Sequence, residues 1–315
     1  MKIAILDTAS LGGDVDLSPI LNLGEASVYE YVAPEQVHEI VADAEVIVYN
    51  KTKLTAQVLE HAKKLKLACV TATGFDTVDT VYCREHGIGV CNVPGYSTGS
   101  VAQVTVALAL DLATHLREYR NFVHSGAYSA GNAANKLSPC WNELAGKTWG
   151  IVGGGNIGNR VAKIAQALGC RVIMYRRNPD PEFETVSLNT LCETADIISI
   201  HLALNDQTRG MMGESQIRKM KKNAIVVNVA RGAVTDEEAL ARAIEEDRIG
   251  GLGVDVYSVE PFGKDHPFSR ILDRDNVCLT PHMAWGSIES RNRCIAKVAE
   301  NIAAFYRGES LNRVE

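Results

Sequence analysis

The stretch "TWGIVGGGNIGNRVAKIAQALGC", residues 148–170, decides the fold. An apolar strand-like run, TWGIV, passes directly into Gly153, Gly155 and Gly158, spaced G-x-G-x-x-G, and then into a helical stretch rich in Ala and Val. Each glycine has its own physical reason: the first permits a tight turn, the second lets a pyrophosphate approach the backbone, and the third lets the helix pack closely on the strand. The amides of Asn156 and Ile157 then open the helix, where unpaired N–H groups and the helix dipole favour an anion. A glycine turn that binds nothing is the plain alternative for an isolated match. Here the placement between strand and helix favours a dinucleotide.

The following strand, "RVIMYRRNPD" (171–180), ends unusually. Such a strand ordinarily closes on an acid that holds the ribose 2′-hydroxyl of NAD, whereas Tyr175 is followed here by Arg176 and Arg177. A carboxylate would repel a 2′-phosphate, and a guanidinium forms charge-assisted hydrogen bonds to it. The expectation is NADP(H) as preferred cofactor, through Arg176 first and Arg177 second, with NAD(H) still possible. Two solvated surface arginines are the structural alternative.

Working outward, "ADIISIHL", "NAIVVNVA", "IGGLGVDVY" and "NVCLTPH" continue the strand–helix alternation to about residue 284. A separate series occupies the first hundred residues: "KIAIL", "AEVIVYN", "LKLACVTAT" and "GIGVCNV", interleaved with helical "PEQVHEIVADA" and "TAQVLEHAKK". Apolar strands at this spacing indicate two parallel sheets with crossover helices, an α/β class. Asp79 and Gly87 bracket a helix and are read as its N-cap and C-terminal stop. From Ser100, "SVAQVTVALALDLATHLREYRNFVHSGAY" reads as one long helix whose apolar face is too broad for a lone surface helix, so it crosses between domains or packs on a partner. The last helix, "SIESRNRCIAKVAENIAAFYRG", follows the second sheet.

The whole chain has 315 residues, 46% hydrophobic, with a formal charge of -6. That length holds two domains with proper cores. Mild acidity without a basic run argues against nucleic acid or a membrane surface as partner and points to small molecules. "MKIAILD" enters a strand at once, which reads as a cytoplasmic protein. The 8 cysteines are scattered singly, so no metal site is expected and most are read as small buried hydrophobes.

Three side chains fall just after predicted strands, where open α/β sheets bind ligands. Arg231 ends "VVNVAR", Glu260 follows "VDVYSV" and His282 follows "CLTP". Hydride reduction of a 2-keto acid requires a cation for the carboxylate and carbonyl, a proton donor for the new alkoxide, and a group that tunes that donor. Arg, His and Glu fill these roles, the acid holding the imidazole protonated near neutral pH. Singly, each has an ordinary reading: a cap for carbonyls, a solvated loop acid, a satisfied core histidine.

"GGGNIG", "NVARGAVTDEEAL", "GVDVYSVEP" and "TPHMAW", in this order, resemble the D-isomer-specific 2-hydroxyacid dehydrogenase family over essentially the whole chain. The resemblance implies two doubly wound parallel-sheet domains: a Rossmann nucleotide domain (100–284) inserted into a flavodoxin-like substrate domain (1–99 and 285–315), to which the last helix returns. It implies that Arg231, Glu260 and His282 are the catalytic residues and that Asp255 holds the nicotinamide carboxamide. Val229 and Ala230, just before the arginine, are implied to line the cofactor. Thr73 and Gly74 in "TATGFDTVD" are implied to receive the substrate carboxylate. Residues 100–148 are similar to the family's dimerisation helix and loop, which implies a homodimer.

Within the family, "YNKTKLT", "NVPGYSTGSVAQ" and "PHMAWGSIESR" are most similar to the hydroxypyruvate reductase, or glycerate dehydrogenase, branch. Asn50 and Lys51 are then expected at the substrate, and Trp285 as an apolar wall that limits its size. Three positions depart from the family's pattern: Val104 where His is frequent, Ala203 where Pro is frequent, and Arg176 where an acid is usual. The implied activity is reduction of a small 2-keto acid, hydroxypyruvate or glyoxylate, to the D-2-hydroxy acid. A broader reductase for larger 2-keto acids and a nucleotide-sensing regulator are the competing expectations.

Overall fold

The computed structural model describes every residue from Met1 to Glu315 except Asp180. The chain forms two compact units, one of Met1–Ser97 with Trp285–Glu315 and one of Thr98–Ala284.

In the first unit, β1 (Lys2–Ile5), β2 (Glu25–Val28), β3 (Val46–Tyr49), β4 (Leu67–Val70) and β5 (Gly89–Cys91) form a parallel sheet ordered β2-β1-β3-β4-β5. That is the flavodoxin order. Every residue of β3 and β4 is buried, as strands covered on both faces require. Val37, Val41, Leu54 and Leu59 cover one face, and the helix Ile288–Tyr306 covers the other through Cys294, Ile295, Val298 and Ile302. The C-terminal helix therefore belongs to the first unit. The edge strand β2 is an addition to the sequence reading. Its four residues are mostly exposed and carry no apolar alternation to betray a strand. Asp79 caps its helix by accepting from the Tyr82 amide at 2.9 Å, and Gly87 follows that helix with φ +70°.

The second unit contains β6 (Thr148–Val152), β7 (Arg171–Tyr175), β8 (Glu184–Thr185), β9 (Ile197–Ile200), β10 (Ile225–Asn228), β11 (Gly251–Val254) and β12 (Val277–Leu279). They run parallel in the order β12-β11-β10-β9-β6-β7-β8. The order reverses between β9 and β6, so the loop after β6 stands at the switch point where such sheets bind ligands. That loop is the glycine-rich one.

The long helix expected from Ser100 is corrected in one respect. It begins at Thr98, ends at Thr114, and bends by 67° into a second helix, Leu116–His124. His115 makes the break in the left-handed region at φ 52°, with its Nδ1 2.9 Å from Glu118 Oε1. The first helix buries Val101, Ala102, Leu108 and Leu112. Gly251 and Gly253 of β11 admit it, since a Cβ on Gly253 would lie 3.2 Å from Leu108 Cβ. From Leu116 to Lys147 no residue is buried, and Leu116, Val123, Tyr128, Leu137 and Trp141 are all exposed. Among the described residues no single helix is long and apolar enough to cross a membrane. Six of the cysteines are buried, Cys278 is half-buried and Cys140 is exposed.

Candidate active site

The glycine loop has the geometry that its spacing implies. Gly153 adopts φ +106°, and a Cβ there would stand 2.8 Å from the His201 carbonyl carbon, so only glycine fits the turn. A Cβ on Gly158 would meet Gly153 O at 2.0 Å, which fixes the close approach of helix Asn156–Ala167 to the loop. Gly155, the N-cap of this helix, is different. A Cβ there would meet nothing within 4 Å among the described residues, and no side chain caps the helix. The three-turn helix thus begins at exposed Gly155 and Asn156 without a side-chain cap, which fits the pyrophosphate of a dinucleotide.

Arg176 belongs to this loop in space. A Cβ on Gly154 would lie 2.9 Å from Arg176 Cδ and 3.1 Å from its Nη1, so the half-buried guanidinium arm lies across the glycines. Arg177 is exposed and donates to Gln207 Oε1 at 2.6 Å. Behind the loop, Trp149 Nε1 donates to Ser199 Oγ at 2.9 Å, and the same oxygen stands 3.0 Å from His201 Nε2. Burial holds the His201 imidazole well below its ordinary value, at about 3, so the ring is neutral in the folded protein.

Arg231, Glu260 and His282 follow β10, β11 and β12, three neighbouring strands on one edge of the sheet. Glu260 and His282 meet directly, Nδ1 lying 2.6 Å from Oε2, with side chains only 27% and 22% exposed. The other carboxylate oxygen, Oε1, accepts from the Tyr257 amide at 3.0 Å. With Nδ1 committed to the carboxylate, Nε2 is the nitrogen able to exchange a proton. His282 holds φ 53°, a left-handed conformation rare for a side chain of its size. Arg231 is extended at the head of a short turn, its Nη1 donating to Ala230 O at 2.9 Å, while Asn228 Nδ2 donates to Arg231 O at 3.0 Å. Val229 is buried beside them, and the Ala230 amide donates to Asn228 Oδ1 at 3.0 Å.

Asp255 has a scaffold role that the sequence reading missed. Its carboxylate, 1% exposed, accepts from Thr280 Oγ1 at 2.6 Å and from the amides of Met283 and Ala284, both at 2.9 Å. It therefore clamps the loop on both sides of His282. Tyr257 adds a second tie, its hydroxyl donating to Thr280 O at 2.9 Å.

In the first unit, Asn50 turns its side chain inward, donating to Thr71 Oγ1 at 2.8 Å. Lys51 is exposed on the same loop. The organising group is Asp7, which sequence reasoning did not single out. At φ 60° its carboxylate accepts from the consecutive amides of Asn50, Lys51 and Thr52 at 3.1, 2.9 and 2.8 Å. Thr73 bonds Val93 O at 2.9 Å, and the half-buried Gly74 follows it. Trp285 packs edge-on to Tyr96, ring centroids 6.3 Å apart, as part of the first unit's core.

Comparison with known proteins agrees with this architecture. The model of the "D-isomer specific 2-hydroxyacid dehydrogenase, NAD binding domain" family matches residues 106–284. A hydroxypyruvate reductase of Blautia hydrogenotrophica is 34% identical, covering 100% of this chain and 99% of its own. A glycerate dehydrogenase of Methylorubrum extorquens is likewise 34% identical over 100% of this chain and 99% of its own. Among solved structures, an acyclic imino acid reductase in complex with NADPH and D-Arg superposes with a TM-score of 0.90 at 27% identity, covering 100% of both chains. The nucleotide loop, the sheet order and full-length likeness at this identity lead to one assignment: the chain belongs to the D-isomer specific 2-hydroxyacid dehydrogenase family of NAD(P)-dependent oxidoreductases.

Proposed function

We propose that this dehydrogenase reduces a small 2-keto acid, hydroxypyruvate or glyoxylate, to the D-2-hydroxy acid, with NADPH preferred over NADH. The observation that carries the reading is the 2.6 Å contact between His282 Nδ1 and Glu260 Oε2 on the strand edge that also bears Arg231. The dinucleotide, when bound at Gly153–Gly158, supplies the hydride that reaches C2. Arg231 orients the substrate carboxylate and polarises the carbonyl by placing a fixed cation beside the oxygen that becomes anionic. His282 delivers a proton from Nε2 to that oxygen, and Glu260 balances the charge of the imidazolium and fixes the ring. Hydride to carbon and proton to oxygen complete the alcohol. Asp255 retains capacity on Oδ2 for one further donor, which accords with its expected bond to the nicotinamide carboxamide.

The NADPH preference rests on Arg176 lying across Gly154, where a 2′-phosphate would be met by a guanidinium instead of a carboxylate. The deciding experiment is steady-state kinetics on hydroxypyruvate, glyoxylate, pyruvate and phenylpyruvate, each with NADPH and NADH. The reading expects the highest kcat/KM for one of the first two with NADPH. A clear preference for phenylpyruvate would transfer the protein to the broader reductases, and no turnover of any keto acid would favour a nucleotide-sensing regulator. A homodimer is supported by the exposed apolar side chains Leu116, Val123, Tyr128, Leu137 and Trp141. Light scattering should return twice the mass of one chain.

A further inference from the structure

Glu237 opens the helix Glu237–Glu245, a place where an acid normally faces solvent and complements the helix dipole. Here it is buried at 8% exposure. Its Oε1 accepts from the Ser258 amide at 2.8 Å, and Oε2 accepts both from the Ser258 hydroxyl and from His266 Nε2, the latter at 3.0 Å. His266 is itself enclosed, its side chain 6% exposed, and its Nδ1 accepts from the Phe268 amide at 3.2 Å, which assigns the ring hydrogen to Nε2. Ser, His and Glu are the residue types of a hydrolytic triad, yet the serine bonds the carboxylate and the imidazole's acceptor nitrogen faces backbone. Among the described residues the imidazole makes no hydrogen bond to the hydroxyl, so the base–nucleophile pair of a triad is missing and the cluster is not a second catalytic site.

What the cluster holds is the segment that carries Glu260. Ser258 lies two residues before Glu260, and Tyr257 binds Glu260 Oε1 through its amide. The same backbone is pressed onto the arginine segment, since a Cβ on Gly232 would lie 2.1 Å from Ser258 N. Arg231 immediately precedes Gly232, and Glu237 lies on the same stretch. A carboxylate satisfied by three donors has one low-energy placement in a buried site, and loss of any donor leaves another group unpaired.

We propose that Glu237, with Ser258 and His266, is a positioning residue that sets the Glu260 carboxylate against His282. The proposal rests on the reading of Glu260 and His282 given above. It differs from a purely structural role in what it couples to: its effect on turnover passes chiefly through Glu260.

The test compares Glu237→Gln and Ser258→Ala, each in the wild-type chain and in a Glu260→Gln background, with kcat and KM for hydroxypyruvate and Kd for NADPH measured by fluorescence. In the wild-type background Glu237→Gln should lower kcat about tenfold, the scale on which catalytic groups respond to misplacement, with KM and Kd changed less than about twofold. In the Glu260→Gln background the same substitution should change kcat less than about twofold. A folded Glu237→Gln enzyme with wild-type kcat overturns the proposal, and so does an equal loss in both backgrounds. Should Glu237→Gln fail to fold, Ser258→Ala decides by the same pair of comparisons, an unchanged kcat overturning the proposal. Wild-type turnover in Glu260→Gln alone would instead overturn the reading of the Glu260–His282 pair, and this inference with it.

Discussion

Arg176 rests on Gly154: a Cβ at that glycine would touch the arginine's Cδ at 2.9 Å and its Nε at 3.1 Å. The chain thus places a guanidinium against the loop that receives the dinucleotide, with no side chain at 154 to hold it off. Charge-assisted hydrogen bonds to a phosphate contribute about 1.5–3 kcal/mol each. Arg176→Ala should therefore raise KM for NADPH by roughly ten- to a hundredfold and leave KM for NADH within a few-fold. Arg176→Asp should go further and reverse the preference. Parallel kinetics with both reduced cofactors check this. Equal losses with the two cofactors would remove the phosphate role from Arg176.

His282 and Arg231 should behave differently from Arg176. Removing a group that acts on the developing alkoxide costs several kcal/mol in the transition state and little in the ground state. His282→Ala and Arg231→Ala are each expected to lower kcat/KM by about a hundredfold or more while NADPH Kd, followed by fluorescence, stays near wild type. Near-normal turnover in either variant would refute its assigned role.

The parts of this site that were legible in the sequence share one property: their signal is local. The glycine spacing needs only the strand before it and the helix after it, and Arg231, Glu260 and His282 each fall just after a predicted strand within motifs that carry the family resemblance. The buried carboxylates do not. Glu237 and Glu238 are neighbours in one helical first turn, indistinguishable by pattern. Yet Glu237 is enclosed by Ser258 and His266, while Glu238 is half-buried, its side chain 45% exposed, and paired with Arg270. Asp255 finds its donors 25 to 29 residues away, and two of them are backbone amides that carry no residue type to read. The left-handed breaks at Asp7, His115 and His282 were hidden for a related reason, because none is glycine. Contacts distant in sequence hold Asp7 and His282, and a local one to Glu118 meets His115.

Asp255 gives a prediction that separates scaffold from chemistry. Its buried carboxylate serves Thr280 Oγ1 and the amides of Met283 and Ala284. Asp255→Ala would leave these donors without the acceptor they share, at a cost of about 3 kcal/mol. It would also free the loop that holds His282 at φ 53°. Urea unfolding should show the loss of stability, and kcat should fall even at saturating NADPH. Unchanged stability would mean that the clamp contributes nothing, and a defect confined to cofactor affinity would leave Asp255 with the nicotinamide role alone.

His201 sets an acid limit on stability. Its imidazole is held at about 3 in the folded chain by burial, and an unfolded histidine titrates near 6.5. Between these values the unfolded chain binds a proton that the folded chain refuses, so stability is full above about pH 6.5 and declines as pH falls toward 3. The limiting slope is about 1.4 kcal/mol per pH unit. Part of the residue reaches solvent, which narrows the pH window over which this slope holds. Its Nδ1, enclosed and with no hydrogen-bond partner among the described residues, gives the cation nothing to bond. His201→Gln removes the titrating group and keeps a polar end for Ser199 Oγ, which the ring meets at 3.0 Å. Urea midpoints of wild type and variant, measured from pH 7.5 down to pH 4.5, should diverge below about pH 6.5, with the wild type falling more steeply. Parallel curves through that window would show that the folded imidazole accepts its proton freely.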